Sequence, residues 1–407
     1  MSKNFDTLEL RDPAEREVEQ FAKLRETLAH AKALAPGLAA QLGDVDIAAL
    51  GDRATLAALP LRRKADLPAS QAADPVFAGL TTRPHSQMRN VFMSPGPIFE
   101  PGSDGWDWWR LGRFLQAAGL RAGDMVQNCF AYHFTPAGMM FESGAAAIGA
   151  TVLPAGTGQT DQQVAAAAAL GCTVYAGTPD FLKVILDRAD EQDTKLAFDR
   201  AMVSGGALFP SLREAYEARG ITTRQCYATA ELGLIAYESS STDGMILDEG
   251  VIVEIVRPGT GDPVPEGEVG EVVVSVLNPD YPLLRFATGD LSAVLPGTSP
   301  CGRTNTRIKG GMGRADQTTK VKGMFVRPEQ IATLATRVAG LTRLRLEVRR
   351  EGEQDAMVLK AEASDLDTAA LEAEMQSLLK LRGRVEQVAP GSLPNDGKVI
   401  DDQRSYE

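Results

Sequence analysis

The sequence predicts an α/β protein of two bodies: a large N-terminal α/β domain with a β-rich portion, followed by a small C-terminal α+β domain. Three observations predict it. The chain of 407 residues is too long for one ordinary domain. From about Arg121, strand-like runs alternate with helical ones, as in a parallel sheet covered by helices. After Gly250 the grammar changes to alternating runs separated by turns, and beyond Asp316 to a hairpin, a helix and a last strand.

Each element has its own signal. Residues 15–35, rich in Ala, Leu, Glu and Lys, predict a helix with Val18, Phe21, Ala22, Leu24 and Leu28 on approximately one face. Leu59-Pro60-Leu61 breaks that pattern. Residues 124–128 introduce a short strand, and 141–148 form a helix of small residues. Ala150-Thr151-Val152-Leu153-Pro154 is a strand ending in the turn Gly156-Thr157-Gly158; residues 162–170 are helical, and Thr173-Val174-Tyr175-Ala176 is the next strand. Residues 251–256 and 271–276 alternate on either side of a turn-rich connection over 258–270. Residues 344–350 and 356–362 pair as a hairpin, 366–379 form a helix with Leu371, Met375, Leu378 and Leu379 inward, and 384–388 close the domain as a strand.

Composition narrows the function classes. An apolar share of 44% supports a substantial core. A net charge of −12 removes the basic face that a nucleic-acid reader presents, and gives no attraction to anionic lipid. Cys129, Cys172, Cys226 and Cys301 are scattered without a CxxC pair, so they are expected as free thiols in a reducing compartment, with no structural zinc. The start lacks a basic segment followed by an apolar run, and no stretch of about 18 apolar residues occurs, so a cytoplasmic protein without a membrane span is expected.

Four segments carry polar chemistry. Tyr227-Ala228-Thr229-Ala230-Glu231 offers a ring to stack a flat base, a hydroxyl for a phosphate and a carboxylate for magnesium; alone, it reads rather as an ordinary helix N-terminus, capped by Thr229 with Glu231 near the positive dipole end. Leu283-Leu284-Arg285-Phe286-Ala287-Thr288-Gly289-Asp290 reads as a strand ending in a Gly-Asp turn, whose carboxylate suits a ribose diol or is a common turn and nothing more. Gly310-Gly311-Met312-Gly313-Arg314-Ala315-Asp316, with Lys320-Val321-Lys322-Gly323, reads as a joint beside a nucleotide or as a basic linker. Pro394-Asn395-Asp396-Gly397-Lys398 places a lysine on a Gly-led loop, where a solvated surface charge is the ordinary reading.

In their order and spacing, and with Ser204-Gly205-Gly206-Ala207 ahead of them, these segments resemble the motif series of the adenylate-forming superfamily. Leu61-Arg62-Arg63-Lys64-Ala65-Asp66-Leu67, Val126-Gln127-Asn128, Gly149-Ala150-Thr151-Val152-Leu153-Pro154, Pro282-Leu283-Leu284-Arg285 and Cys301-Gly302-Arg303-Thr304 resemble the phenylacetate–CoA ligases in particular. The resemblance implies an ATP-dependent acid–CoA ligase. A carboxylate attacks the α-phosphate of ATP to give an acyl-adenylate and pyrophosphate, and the thiol of coenzyme A then displaces AMP. It implies that Tyr227 stacks on adenine, with Ala228 and Thr229 beside it, that Gly205, Gly206 and Ala207 line the base and acyl pocket, and that Glu231 holds magnesium. Asp290 would bind the ribose hydroxyls with Arg314, and Lys398 would neutralise charge during adenylation. Asp316 matches the hinge, with Lys322 and Gly323 on the coenzyme A side, so the domains are expected as 1–315 and 316–407, the second a mobile lid. Tyr132, His133 and Phe134 would face a small carboxylic acid, aryl or arylacetic by family, and a homodimer is the family expectation.

The sequence departs from that pattern at one important place. The family's triphosphate loop is a run of Ser, Thr and Gly ending in lysine; here stands Val91-Phe92-Met93-Ser94-Pro95-Gly96-Pro97-Ile98-Phe99-Glu100-Pro101-Gly102-Ser103. Pro95 and Pro97 lack N–H donors, the lysine is absent, and Glu100 is expected to repel phosphate. Gln317 replaces the second acidic residue usual after the hinge. Two functions therefore stand: a ligase working with a remodelled loop, or a non-ligase binder of AMP, acyl-adenylate or acyl-CoA. Retention of Lys398 favours the first.

Overall fold

The structure, a computed structural model, describes residues 4–404 except 207, 313, 314, 316, 318, 322, 323, 352 and 353. The chain forms two compact units, one of Met1–Val253, Val274–Phe286 and Leu295–Gly310, the other of Glu254–Val273, Ala287–Val294 and Gly311–Glu407. Residues 254–273 and 287–294 thus group with the C-terminal residues, where the sequence reading drew a single division at 315/316.

The first unit is built on a parallel sheet with helices on both faces. A hairpin of β1 (Asn90–Ser94) and β2 (Ile98–Gly102) precedes it. The sheet strands are β3 (Met125–Asn128), β4 (Thr151–Pro154), β5 (Val174–Gly177), β6 (Arg200–Val203), β7 (Thr222–Thr229), β8 (Gly233–Tyr237), β9 (Met245–Leu247) and β10 (Arg307–Ile308). They run in the order β10-β9-β8-β7-β6-β5-β3-β4, parallel from β4 to β7 and antiparallel from β7 to β10. Their side chains alternate between two cores, as a sheet buried on both faces requires. Val174, Ala176 and Met202 pack with Phe114, Met140 and Phe141 from the helices Leu111–Ala117 and Ala137–Ile148. Tyr175, Ala201 and Val203 pack with Val164, Leu182, Ile185 and Tyr216 from the helices Thr160–Leu170, Pro179–Glu191 and Pro210–Ala218. The expected strand–helix alternation holds within a few residues at each boundary.

The first helix, Pro13–Lys32, starts where Pro13 follows an Asp12 cap that accepts from the amides of Ala14 and Glu15. Phe21, Leu24 and Leu28 are buried as expected, but Val18 is 68% exposed and Ala22 is also exposed. The helix is rotated because polar residues take the inward positions. Arg16 Nε donates to Glu249 at 3.0 Å, and Gln20 donates to the carbonyls of Glu249 and Val251.

In the second unit, β11 (Arg343–Glu351) and β12 (Gln354–Glu362) form the expected hairpin, flanked in parallel by β14 (Ile400–Asp402) and β13 (Arg384–Val388) in the order β13-β12-β11-β14. Leu346, Val348, Met357, Leu359 and Ala361 pack with Ile331 and Leu334 of the helix Pro328–Arg337 and with Leu371, Met375 and Leu379 of the helix Thr368–Leu379; Leu378 is partly buried against the same core. No described helix is long and apolar enough to cross a membrane.

Candidate active site

Open parallel sheets bind ligands beyond the carboxyl ends of their strands, where strand order reverses. Here β3, the first of the parallel strands, lies between β4 and β5, so the reversal falls at β3 and β5. The loop after β3 carries Tyr132, His133 and Phe134. Asn128 Nδ2 donates to the Tyr132 hydroxyl at 2.8 Å, and burial pushes that phenol's pKa well up. Phe134, in a left-handed conformation (φ +59), is 72% exposed; His133 is exposed too, and the Phe134 carbonyl accepts from the Met93 amide of β1 at 2.8 Å. Gln163 holds the 156–158 turn to this edge: its amide donates to the carbonyls of Gly156 and Gly158 and accepts from Gln127.

Two strands along, β6 leads into Ser204-Gly205-Gly206. Gly205 sits at φ +71, which few residues other than glycine adopt, and Ser204 Oγ donates to the carbonyl of Cys226 on β7 at 2.9 Å. That bond sets Gly205 beside Tyr227, which is half-buried next to a bulge at Tyr227/Ala228. The alternative of a helix N-terminus at Thr229 is overturned. Strand β7 runs through Thr229 and returns as β8, and Thr229 Oγ1 accepts from the Leu232 amide at 3.2 Å, fastening a tight turn. Gly233 leaves that turn at φ +69, where an added Cβ would lie 2.7 Å from the Trp109 carbonyl oxygen. Glu231 is thereby driven inward and is 4% exposed.

The segment at the triphosphate-loop position is a tight hairpin. Ser94 pairs with Ile98 across Pro95-Gly96-Pro97, and the register sets Glu100 opposite the buried Phe92. Glu100, expected to face phosphate, is 0% exposed. Gln71 grips Phe99, donating to its carbonyl and accepting from its amide, each at 2.8 Å, so the helix Leu67–Ala73 is fixed to β2. Lys64, one turn ahead of that helix, places Nζ 2.8 Å from Glu231 Oε1. Burial, then the charge of Glu231, raise the Glu100 pKa to about 7, against weaker pulls from Ser94 and Lys64. Burial also pushes the Tyr281 phenol well up, with both glutamates adding to it. Lys64 and Tyr281 have no role in the sequence reading, and Glu100 only that of repelling phosphate, because their placement depends on long-range folding.

The remaining predicted residues belong to the second unit. Asp290 does not follow a strand end: Gly289 (φ +77) and Asp290 lie inside the strand Phe286–Ser292, where the Ala315 amide donates to the Gly289 carbonyl at 2.7 Å. Asp290 is half-buried, and its amide donates to Thr288 Oγ1. Lys398 is half-exposed, and its Nζ lies 2.6 Å from Asp401 Oδ1. Asn395 pins its loop by accepting from the Val269 amide and donating to the Gly267 carbonyl. Gln317, noted in the sequence only as a departure, donates to the Gly397 carbonyl and accepts from the amides of Val399 and Ile400. Ala207, Arg314, Asp316, Lys322 and Gly323 lie outside the described residues. Arg285 serves the scaffold, donating to the carbonyls of Ala57 and Leu59. Near Cys301, the Arg303 guanidinium and the Tyr237 hydroxyl converge on buried Glu9. Among the described residues no group of three or more His, Cys, Asp or Glu is arranged to hold a metal.

Known proteins share this arrangement. The AMP-binding enzyme family matches residues 112–276. Phenylacetate–coenzyme A ligase of Thermus thermophilus is 28% identical over 324 residues, 75% of this chain and 72% of that protein. The Pseudomonas putida enzyme of the same name is 28% identical over 377 residues, 86% and 83% of the two chains. Among solved structures, 2-hydroxyisobutyryl-CoA ligase in the postadenylation state with R3-HIB-AMP superposes with a TM-score of 0.73 at 24% identity, covering 98% of this chain and 91% of that one. The same enzyme with 2-HIB-AMP and CoA in the thioesterification state gives 0.73 over 99% and 93%. These structures establish the fold as that of the adenylate-forming enzymes. Residues 112–276 resemble the AMP-binding enzymes of that superfamily. Within it, the chain is similar to the phenylacetate–CoA ligases.

Proposed function

We propose that this protein is an ATP-dependent carboxylic acid–CoA ligase. The observation that carries the reading is the meeting of Gly205 and Tyr227 on adjacent strands beside the reversal of strand order, with buried Glu231 at the end of the same β7 ridge. The substrate carboxylate oxygen attacks the α-phosphorus of ATP, and the bond to the β-phosphate breaks to release pyrophosphate. The sulfur of coenzyme A then attacks the acyl carbon, and AMP leaves. Tyr227 stacks on adenine, Gly205 and Gly206 leave room for the base and the acyl group, and Asp290 holds the ribose. Lys398 supplies positive charge where the phosphoryl oxygens gain negative charge. Arg314, Asp316, Lys322 and Gly323 keep the roles that resemblance gives them.

Magnesium, held by Glu231, would offset negative charge on the phosphate oxygens. Glu231 fits it: the carboxylate is buried, Oε2 has no hydrogen-bond partner, and Oε1 meets the Lys64 ammonium at 2.8 Å, which would have to withdraw for the carboxylate to act as a ligand. The exposed Phe134 ring with Tyr132 suits an aryl or arylacetic acid. The family adds the expectation of a homodimer.

The test is magnesium-dependent ATP–pyrophosphate exchange over a panel of aryl, arylacetic and short aliphatic acids, with Lys398→Ala alongside. Exchange with an acid, reduced at least 100-fold in Lys398→Ala while AMP still binds, is expected. No exchange, with AMP or coenzyme A still bound in calorimetry, would replace the ligase by a binder.

A further inference from the structure

We propose that Glu100 and Glu231 together hold one divalent cation, so that the hairpin standing in place of the phosphate-binding loop grips ATP through a metal rather than through a lysine and backbone amides. The use of the metal on ATP rests on the ligase reading above; the metal site itself does not.

The case begins with unpartnered atoms. Among the described residues, the hydroxyl of Tyr281 and Oε2 of Glu231 have no hydrogen-bond partner, Glu231 Oε1 meets the Lys64 ammonium at 2.8 Å, and Glu100 has Ser94 as its hydrogen-bonding neighbour; each of the three side chains is more than nine-tenths buried. Buried polar groups are almost always satisfied, and an orphan in a native fold marks an ion or water that belongs there. Three such side chains lie within electrostatic reach of one another. The charge of Glu231 acts on Glu100, and both act on Tyr281. Chance burial of one carboxylate is unremarkable; two that feel each other's charge, on elements far apart in sequence and with Lys64 against one of them, are a built feature.

The donors select the ligand. Two carboxylates with a phenol, and no sulfur or imidazole, suit a hard cation such as magnesium or manganese. Magnesium takes one or two carboxylates and completes its shell with water and phosphate oxygens. Among the described residues, the Lys64 ammonium lies against the pair, at 2.8 Å from Glu231. That ammonium has a flexible stem and a side chain 31% exposed, so it can withdraw toward solvent when a doubly charged ion arrives.

The location explains why the pair exists. Pro95 and Pro97 remove amide donors from the turn, and no lysine follows. A hairpin that offers neither N–H groups nor a cation has no direct hold on the outer phosphates. A carboxylate in the same strand reverses the logic: it recruits the cation, and the cation takes the phosphate. The Gln71–Phe99 clasp keeps β2 at the depth where Glu100 meets Glu231.

Manganese is the probe, because its free and bound forms separate in electron paramagnetic resonance. The full-length protein, stripped with chelator and free of nucleotide, is titrated with Mn2+ alone. One bound ion is expected, with affinity reduced at least tenfold in Glu100→Gln and in Glu231→Gln. Glu100→Ser repeats the test should the glutamine variant fail to fold. Wild-type affinity in either folded Glu100 variant, or no binding by the wild-type protein at millimolar Mn2+, overturns the site. The two readings fail separately. Absent ATP–pyrophosphate exchange with Glu100-dependent Mn2+ binding leaves the site and removes the ligase. Exchange with Mn2+ binding indifferent to Glu100 does the opposite.

Discussion

Gln317 donates its side-chain amide to the Gly397 carbonyl at 2.9 Å, one residue before the lysine that adenylation is expected to use. The same side chain accepts from the amides of Val399 and Ile400 at 2.5 and 2.8 Å, so the backbone on both sides of Lys398 hangs from one glutamine. A carboxylate at 317 keeps the acceptor but loses the donor, and sets a charge against the Gly397 carbonyl. Gln317→Glu is therefore expected to lower the turnover of ATP–pyrophosphate exchange on the order of tenfold, because small misplacement of a charged group is costly. The KM for ATP should stay within about twofold, and stability should fall by roughly 1–2 kcal/mol. Wild-type turnover in this variant would show that the clasp does not position Lys398.

A second prediction concerns Lys64. Removing its ammonium leaves two carboxylates facing each other in a buried place, a change that costs more than the pair was worth. Lys64→Met should lower the unfolding free energy in chelator by roughly 1–3 kcal/mol. Adding Glu231→Gln to it should restore most of the loss, since the isosteric amide carries no charge. Additive losses in denaturant unfolding of the single and double variants would show that the two side chains are not coupled.

The contrast between these residues and their neighbours shows what the sequence discloses. The strand at 174–177 is legible because both of its faces are buried, so it is an apolar run between helical segments; the strand at 200–203, equally buried, is missing from the sequence reading. The hairpin of β11 and β12 is legible within two residues at each end because its faces alternate. Val18 misleads because Arg16 and Gln20 claim the inward face through bonds to residues more than 200 positions away. Thr229 and Glu231 mislead differently: a hydroxyl two residues before a carboxylate is common to a helix start and to a tight turn, and only the return of β8 decides. Glu100 is the hardest case. A charge in a Pro-Gly segment reads as exposed, and its burial follows from hairpin register, which local composition does not encode.

The thiols supply a third prediction. Burial alone would raise the Cys301 pKa, but the hydroxyls of Ser239 and Ser299 and the Arg303 guanidinium bring it down to about 7. Cys129 and Cys226 are pushed up to about 12 by burial, and Cys172 is raised by the same cause. Thiolate is the reactive form, so iodoacetamide at pH 7.5 should label Cys301, half-buried, well ahead of the three buried thiols. The labelling rate should reach half its maximum near pH 7, and Ser299→Ala, which removes an oxygen 3.1 Å from Sγ, should move that midpoint upward. Labelling of Cys129 or Cys226 at a comparable rate, read by peptide mass spectrometry, would contradict the assignment.

The last prediction is a pH dependence with a sign. Asp107 is buried, and burial raises its pKa to about 7; the Gly112 amide lowers it, the charge of Asp248 raises it further, and Arg110 and Arg113 oppose that. The unfolded chain releases this proton near the ordinary aspartate value of about 4. Between about pH 4 and 7 the folded state thus holds a proton that the unfolded state has lost, so stability contributed by the protonated form is complete below that window and falls as pH rises through it. Glu100, also raised to about 7 and mainly by burial, adds a contribution of the same sign. Asp107→Asn removes the titration while keeping an oxygen to accept from the Gly112 amide, now at 2.9 Å from Oδ2. Asparagine also tolerates the left-handed backbone at this position, φ +44. The variant should gain roughly 2–4 kcal/mol over wild type at pH 8 and close to nothing at pH 4. Unfolding curves across that range decide it: a constant difference between the two proteins would mean that Asp107 is already ionised in the folded state, held by Arg110 and Arg113 in spite of its burial.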